Sequence, residues 1–189
     1  MEYGQDSGTL SHRDKLHSRW GMLKAERASW QSHWKELSEF ILPRNGRYFR
    51  QDRNKGQRRH NNIYDNTGTR ALRVLGAGLM GGATSPARPW FRLTTADREL
   101  SERDDVKRWL AECTEIMLGV FARSNTYRAL HSTYEELGCF GTGALILAED
   151  RTTIIHNYQL TVGEYALQQD YQGRICTLYR EFEKTVGEV

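Results

Sequence analysis

The sequence is poor in the residues that define several classes of protein. Its three cysteines, Cys113, Cys139 and Cys176, are odd in number and widely spaced, which predicts a reduced cytosolic protein without a disulfide framework or a zinc site. The N-terminus has no basic segment followed by an apolar run, so we expect no signal peptide. The most apolar run, residues 74–83, is far shorter than the ~20 residues that span a bilayer, and no membrane partner is expected.

A large charge imbalance is also absent, because 27 Lys and Arg residues oppose 24 Asp and Glu residues. The resulting net charge of +3 does not by itself indicate a nucleic-acid partner, so the distribution of charge matters more than the total. The main imbalance is local. Residues 44–60 are strongly basic, contain a single acid at Asp52, and have Tyr48 and Phe49 between the basic positions.

This basic segment has three interpretations that the residues leave open. Basic groups can follow phosphates and aromatic rings can stack on bases, which favours nucleic acid. A run of charge is also typical of a solvated loop, or of one that meets acidic groups of a partner subunit. The candidate contacts to DNA or a partner are Arg47, Arg50, Arg53, Lys55, Arg58 and Arg59.

Tryptophans mark the first predicted helix. Between Leu16 and Ile41, apolar residues recur at alternating spacings of three and four, a heptad pattern interrupted only at Arg27. Pro43 is expected to end the helix. This stripe favours either an ordinary helix that faces the core or one that docks on a neighbouring subunit. It contains Trp20, Trp30 and Trp34.

Glycines cluster in residues 76–82, where Gly76, Gly78 and Gly81 spell the GxGxxG of a dinucleotide-binding loop. That fingerprint requires a strand before the glycines and a full helix after them. Here the preceding residues have the spacing of a helix, and Pro86 and Pro89 follow too soon. We therefore expect no nucleotide and no other cofactor. The segment is instead predicted to be a packed helix whose small residues, Gly78 with Gly82 and Ala77 with Gly81, let a neighbouring backbone approach closely.

The rest of the chain predicts an α+β fold, with several long amphipathic helices followed by a small antiparallel β region. A third helix begins near Ser101, and a fourth helix is expected to end at Gly138. Residues 90–93 are predicted to form a short strand or an anchored turn. Short β-branched and apolar runs follow Gly141, with a turn expected at Glu149–Asp150 and a hairpin over residues 165–180.

Catalytic chemistry has little support in the sequence. Cys113, Cys139, His131 and His156 show no spacing typical of a nucleophile and its base. Adjacent acids such as Glu135 and Glu136 point in different directions on a helix. We expect no catalytic residue, no metal site and no enzymatic activity.

Taken in order, several segments resemble the N-terminal part of the head-to-tail connector, or portal, proteins of short-tailed bacteriophages. The similarity extends from about residue 15 to the end, and its most specific parts are TSPARPWF and FGTG after IYDNT. The segments are Trp30-x-x-x-Trp34 leading into residues 41–44, residues 63–67, the glycine helix, residues 84–91, Val106-x-x-Trp109-Leu110, residues 124–127, residues 140–143 and residues 163–165.

The resemblance implies a structural subunit of a dodecameric ring at one capsid vertex, assembled in the host cytoplasm and carried in the virion. Such rings pass double-stranded DNA during packaging and ejection, and dock capsid, terminase and tail or adaptor proteins. They are not enzymes, since the terminase hydrolyses ATP. A ring subunit needs two faces that bury against its neighbours, and the candidates are Trp20, Trp30, Trp34, Trp90 and Phe91.

The same resemblance suggests a division of the chain. Residues 1–12 are expected to be a disordered N-terminus, and residues 13–140 a helical wing region with a basic loop at 44–62. Residues 141–189 are expected to be a β-hairpin region that continues into a stem and clip part not contained in this sequence. The T-x-x-E pattern at Thr185 and Glu188, which is typical of a helix start, agrees with such a continuation.

Overall fold

A computed structural model describes residues 11–43, residues 63–182 and Gly187. Its helices precede its strands, which confirms the predicted α+β class with a small antiparallel β region. The helices are α1 (His12–Phe40), α2 (Thr67–Ala83), α3 (Arg98–Glu102), α4 (Asp104–Arg123) and α5 (Thr126–Phe140). The strands are β1 (Ala144–Asp150), β2 (Ile154–Leu160), β3 (Tyr165–Gln169) and β4 (Ile175–Arg180).

Helix α1 is long and only partly buried. Its last backbone hydrogen bonds run from the N–H groups of Ile41 and Leu42 to the carbonyl of Leu37, so the helix ends just before Pro43 as predicted. It packs on β3 and α5 and buries Leu23, Arg27 and Ser38. Most of its other residues are exposed.

Helices α2 and α5 pack closely because each contributes one glycine to the contact. A Cβ atom on Gly76 would lie 3.1 Å from Cγ of Glu135 on α5. A Cβ atom on Gly138 would lie 2.8 Å from Cδ2 of Leu75 and 3.1 Å from Cδ1 of Leu72 on α2. The two glycines therefore let the helix backbones approach each other.

This contact differs from the predicted one. The predicted packing face of α2 contained Gly78 with Gly82 and Ala77 with Gly81, but a Cβ atom on any of those three glycines would enter open space. Gly78 lies two residues, or about 200°, from Gly76 around the helix, so the two point in opposite directions. Gly138 also does not end α5, which continues to Phe140 and stops at Gly141 with a positive φ of 73°.

The segment between α2 and α3 is an anchored turn rather than a strand. Trp90 stacks on Phe121 of α4 with ring centres 6.1 Å apart, and the edge of Phe91 meets Trp90 at 4.7 Å. The Leu93 N–H donates to Oγ1 of Thr114 at 3.1 Å. Pro86 lies in a turn directly after α2, and neither Pro86 nor Pro89 can continue that helix.

The strands form two antiparallel hairpins. β1 pairs with β2 from Ala144–Leu160 to Asp150–Ile154, so the turn occupies residues 151–153 rather than the expected Glu149–Asp150. Oδ2 of Asp150 accepts the N–H groups of Thr152 and Thr153 in that turn. β3 pairs with β4, as predicted for residues 165–180.

Candidate assembly site

Trp20 lies where α1 meets the second hairpin. Its ring stacks on Tyr179 of β4 with centres 6.0 Å apart. Two cations from the next turns of α1 lie over the same ring, with Lys24 Nζ at 5.4 Å and the Arg27 guanidinium carbon at 5.7 Å from its centre. Lys24 also pairs with Glu181 at 3.0 Å. Trp20 therefore joins α1 to the hairpin within one chain.

Arg27 explains the interruption in the stripe of α1. The residue is 9% exposed, and its Nη1 donates to the carbonyl oxygen of Tyr165 in β3 at 2.6 Å. Burial lowers the pKa of this guanidinium, and the nearby Glu181 carboxylate opposes that change. The sequence indicated an unusual role for Arg27, because an arginine occupies an apolar position of the heptad pattern. Its partner could not be read from that pattern, since Tyr165 lies 138 residues away.

Trp30 and Trp34 form the outward part of the tryptophan stripe. Their rings stack with centres 6.3 Å apart, one turn from each other on α1. Trp30 remains 58% exposed, although a tryptophan side chain is among the most costly to leave in water. Of the candidate interface residues, Trp30 therefore presents the largest apolar surface to a partner.

Trp90 and Phe91 make contacts within the chain. Both contact Phe121, and Nε1 of Trp90 donates to the hydroxyl oxygen of Tyr127 at 3.4 Å. The structure thus divides the five candidate interface residues into three separate clusters: Trp20 with Tyr179, Trp30 with Trp34, and Trp90 with Phe91. Their role between subunits stays a prediction.

Other exposed apolar side chains were not selected from the sequence. Trp109 and Ile116 on α4 are 62% and 65% exposed, and Val74 on α2 is 73% exposed. The sequence did contain a signal for them, because the apolar residues on each of these helices cover more than one stripe of its surface. These side chains enlarge the surface that the described residues leave open to a partner. The candidate basic residues Arg47, Arg50, Arg53, Lys55, Arg58 and Arg59 lie outside the described residues.

Two buried carboxylates hold the turn between β2 and β3. Glu136 on α5 is 0% exposed, and its Oε2 accepts the Val162 N–H at 3.1 Å in the turn between β2 and β3. Glu164 is 1% exposed, and its Oε1 accepts a hydrogen bond from Nε of Arg180 at 2.6 Å. This bond connects the turn to β4. Both acids therefore have structural partners, as buried charges require.

The groups around Glu136 are unsuited to nucleophilic chemistry at neutral pH. Burial, with a smaller contribution from Glu136, raises the pKa of the Cys139 thiol to about 12. Burial is also the largest cause that raises the pKa of Tyr165, whose hydroxyl lies 3.4 Å from Oγ1 of Thr142. A thiol with such a pKa stays protonated and lacks the thiolate that attacks substrates.

Two further features are absent from the described residues. No group of three or more His, Cys, Asp or Glu side chains in residues 11–43 and 63–182 could hold a metal ion. Within the same ranges, no helix has the length and apolar character needed to cross a membrane.

Comparison with known proteins identifies the family of this chain. The family described as "Bacteriophage head to tail connecting protein" matches residues 13–189. A probable portal protein of Bordetella phage BPP-1 is 62% identical over 179 residues, and a portal protein of Salmonella phage epsilon15 is 40% identical over the same length. Each alignment covers 95% of this chain but 32% of the relative, so the chain spans about a third of those proteins. The chain belongs to the family of bacteriophage head-to-tail connecting proteins.

Proposed function

We propose that this chain is the N-terminal, wing-like part of a structural subunit in a phage portal ring. The observation that carries this proposal is the family match over residues 13–189, which includes every described strand and every described helix except the first residue of α1. The proposed ring has twelve subunits, lies at a capsid vertex of the virion and is assembled in the host cytoplasm. Double-stranded DNA passes through it during packaging and ejection.

The proposed role is mechanical rather than catalytic. In the assembled particle, the ring docks the terminase during packaging and holds capsid and tail or adaptor proteins. The described residues suit such a part, because α1, α2 and α4 leave large side chains exposed while buried polar contacts hold the hairpins in place. The family match favours this assembly role over an independent nucleic-acid-binding module.

Trp30 and Trp34 are proposed to bury against the neighbouring subunit. A closed ring uses heterologous contacts, in which one face of a subunit meets a different face of the next. Stacked aromatic rings that project from a long helix are typical central residues of such contacts. The other aromatic candidates, Trp20, Trp90 and Phe91, are proposed to support this face from within the subunit.

Residues 44–60 are proposed to contact DNA or an acidic partner surface. The segment contains seven Arg or Lys residues and one acid, and it follows α1 in the sequence. Its charge is concentrated in a chain that is otherwise nearly balanced. Such a segment attracts phosphates or acidic side chains over distances of about a Debye length.

Changing Trp30 and Trp34 together to serine in the intact polypeptide tests the ring and its interface. We expect the ring population to fall by at least about tenfold, the loss that removal of a central aromatic pair causes. Negative-stain electron microscopy and mass photometry measure the number and mass of the rings. The matched control is Tyr171→Ser, which removes a 95% exposed ring at the tip of the β3–β4 hairpin.

Two negative results of this experiment would contradict different parts of the proposal. Unchanged rings in the double variant would contradict the role of Trp30 and Trp34 but not that of the protein. An intact wild-type polypeptide that stays monomeric at assembly concentrations would contradict the portal function itself.

A further inference from the structure

Each hairpin has one strand whose outer edge is held by a side chain of a helix. On β2, the Asn157 N–H donates to Oδ1 of Asn125, and the Asn157 carbonyl oxygen accepts a hydrogen bond from Nδ2 of the same amide, both at 2.8 Å. On β3, the Tyr165 carbonyl oxygen accepts a hydrogen bond from Nη1 of Arg27. These contacts partly close β2 and β3 to a further strand.

The bonds of Asn157 also show which backbone groups of β1 point outward. In an antiparallel pair, the N–H and C=O of one residue point to the same side, and successive residues alternate between facing the partner strand and facing away. Asn157 faces away from β1, so its opposite residue Leu147 faces away from β2. The same alternation turns Leu145 and Glu149 outward. The free edge of β1 therefore presents the N–H and C=O groups of these residues.

Strand β4 has a free edge of the same kind. The Glu181 N–H donates to the Glu164 carbonyl oxygen at 2.8 Å across the second hairpin, so these two residues face each other. Arg180 precedes Glu181 and therefore faces away from β3, and Leu178 does so by the same alternation. The outward carbonyl of Tyr165 agrees with this arrangement, because Tyr165 lies opposite Arg180.

Both free edges are suited to pairing with another strand. Within the described part of the chain, their outward N–H and C=O groups have no hydrogen-bond partner, since each sheet contains only two strands. β1 also has none of the lysines, prolines or bulges that protect natural edge strands. Leu147 in β1 and Leu178 in β4 are 59% and 44% exposed. Unprotected apolar edges of this kind pair with strands of other chains.

We propose that the free edge of β1 pairs antiparallel with the free edge of β4 in a neighbouring copy of this chain. One register uses both outward residues of β4 and sets an apolar residue opposite an apolar one, with Leu147 opposite Leu178 of the neighbouring copy. Leu145 then lies opposite Arg180 of that copy. Glu149 lies near the start of the neighbouring β4, where the exposed Arg174 provides the opposite charge.

This inference rests on the portal proposal and names a further contact between its subunits. A closed ring needs two different surfaces on each subunit, and the β1 and β4 edges are two such surfaces. Pairing of β1 with β1 of another copy is less suitable, because that contact is two-fold symmetric and ends at a dimer. The edge contact uses none of the tryptophans proposed for the ring interface.

Disulfide trapping in the intact polypeptide tests the contact. The variant carries Leu147→Cys and Leu178→Cys together with Cys176→Ser, which removes the exposed native thiol of β4. Opposite Cα atoms in an antiparallel pair lie about 5.5 Å apart at most, which a disulfide can span. After mild oxidation of assembled material, a non-reducing gel should show a ladder of linked subunits, and peptide mapping should find a link between positions 147 and 178.

The matched control replaces Leu178→Cys with Tyr171→Cys, at the 95% exposed tip of the β3–β4 hairpin. It should give at least about tenfold less linked product, because the tip lies too far from β1 of the neighbouring copy for a disulfide.

Leu147→Pro is a second test that needs no new thiol. The Leu147 N–H points outward, so proline removes a donor from the free edge while the pairing with β2 loses no hydrogen bond. We expect at least about tenfold fewer rings, because an acceptor of the neighbouring β4 is left unsatisfied in the contact. Leu147→Ala keeps the N–H and should retain more rings than Leu147→Pro. Circular dichroism of the 189-residue chain checks that both variants fold.

The possible failures are distinguishable. Rings that form without the link between positions 147 and 178 would overturn this inference and leave the portal proposal intact. A link found only within single subunits, or equal ring numbers for Leu147→Pro and Leu147→Ala, would overturn it as well. An intact wild-type polypeptide that stays monomeric at assembly concentrations would contradict both proposals.

Discussion

Arg27 interrupts the apolar stripe of α1 because its guanidinium has a partner inside the protein. The contact to the Tyr165 carbonyl, together with the Trp20–Tyr179 stack, makes one part of α1 face the second hairpin. Glu136 has a comparable role on α5, where its carboxylate accepts the Val162 N–H. At the residue scale, the positions that look least like core are those that connect the helices to the strands.

Replacing Glu136 with alanine should lower the free energy of unfolding by about 2–4 kcal/mol. The change leaves the buried Val162 N–H without its acceptor and opens space around a fully buried side chain. Urea unfolding of the 189-residue chain measures the loss. Glu115→Ala, at an exposed position of α4, is the control and should change the free energy by less than about 0.5 kcal/mol. A similar effect of both substitutions would contradict the role of Glu136.

Cys139 should resist alkylation at pH 8, because burial raises the pKa of its thiol to about 12 and only the thiolate reacts. Cys176 on β4 is exposed and serves as the internal comparison. Peptide mapping after treatment with iodoacetamide should show modification of Cys176 and little of Cys139. Modification of Cys139 should increase as the pH rises toward 12, or at pH 8 once urea unfolds the chain. Equal rates for both thiols in the folded protein would refute this expectation.

Helices α2 and α5 form a pair in which the glycines of α2 have different environments. Gly76 faces α5, whereas Gly78, Gly81 and Gly82 face open space. An exposed glycine within a helix lowers the stability of that helix, and in the isolated chain no packing contact offsets the loss. The exposed glycines are therefore available for a close contact that the described residues do not contain.

Alanine substitutions at Gly78 and Gly138 should have opposite effects on stability. Gly78→Ala adds a methyl group to open space and should stabilise the chain by up to about 1 kcal/mol through helix propensity. Gly138→Ala places its Cβ within 3.1 Å of Leu72 and Leu75 and should destabilise it by about 1–2 kcal/mol. Thermal and urea unfolding of both variants provide the comparison. Stabilisation by both would mean that α2 can move away from α5 without cost.

At the scale of the whole molecule, the exposed apolar surfaces and the basic segment are proposed to act between chains. The described residues contain two small hairpins and few fully buried apolar side chains, although the chain has 189 residues. An assembly subunit can leave such surfaces open because its neighbours cover them. The chain spans about a third of the length of the two portal relatives.

Neutralising the basic segment should reduce the DNA content of particles. Changing Arg47, Arg50, Arg53, Arg58 and Arg59 to glutamine removes five charges, and we expect at least about tenfold fewer DNA-filled particles. The matched variant replaces the same five residues with lysine, which keeps the charge and should retain most of the filling. Electron microscopy and quantitative PCR of purified particles measure assembly and DNA. Normal assembly and DNA content in the glutamine variant would exclude this role.

Local patterns in the sequence predicted most of the elements. The stripe from Leu16 to Ile41 and the stop at Pro43 predicted α1, and turn residues predicted the hairpin over residues 165–180. These signals succeed because periodicity and turn chemistry act over a few neighbouring residues. The glycine helix was also recognised, but its packing side was not, because the partner of Gly76 lies 59 residues away on α5.

The sequence alone determined the α+β class, the order of helices before hairpins and the connector family, since these depend on local periodicity and ordered motifs. Only the tertiary structure decided which tryptophan faces outward and which glycines form the helix contact. It alone also showed that Arg27 and Glu136 hold the strands. Such pairs are distant along the chain, and a single sequence has no local signal for which distant groups meet.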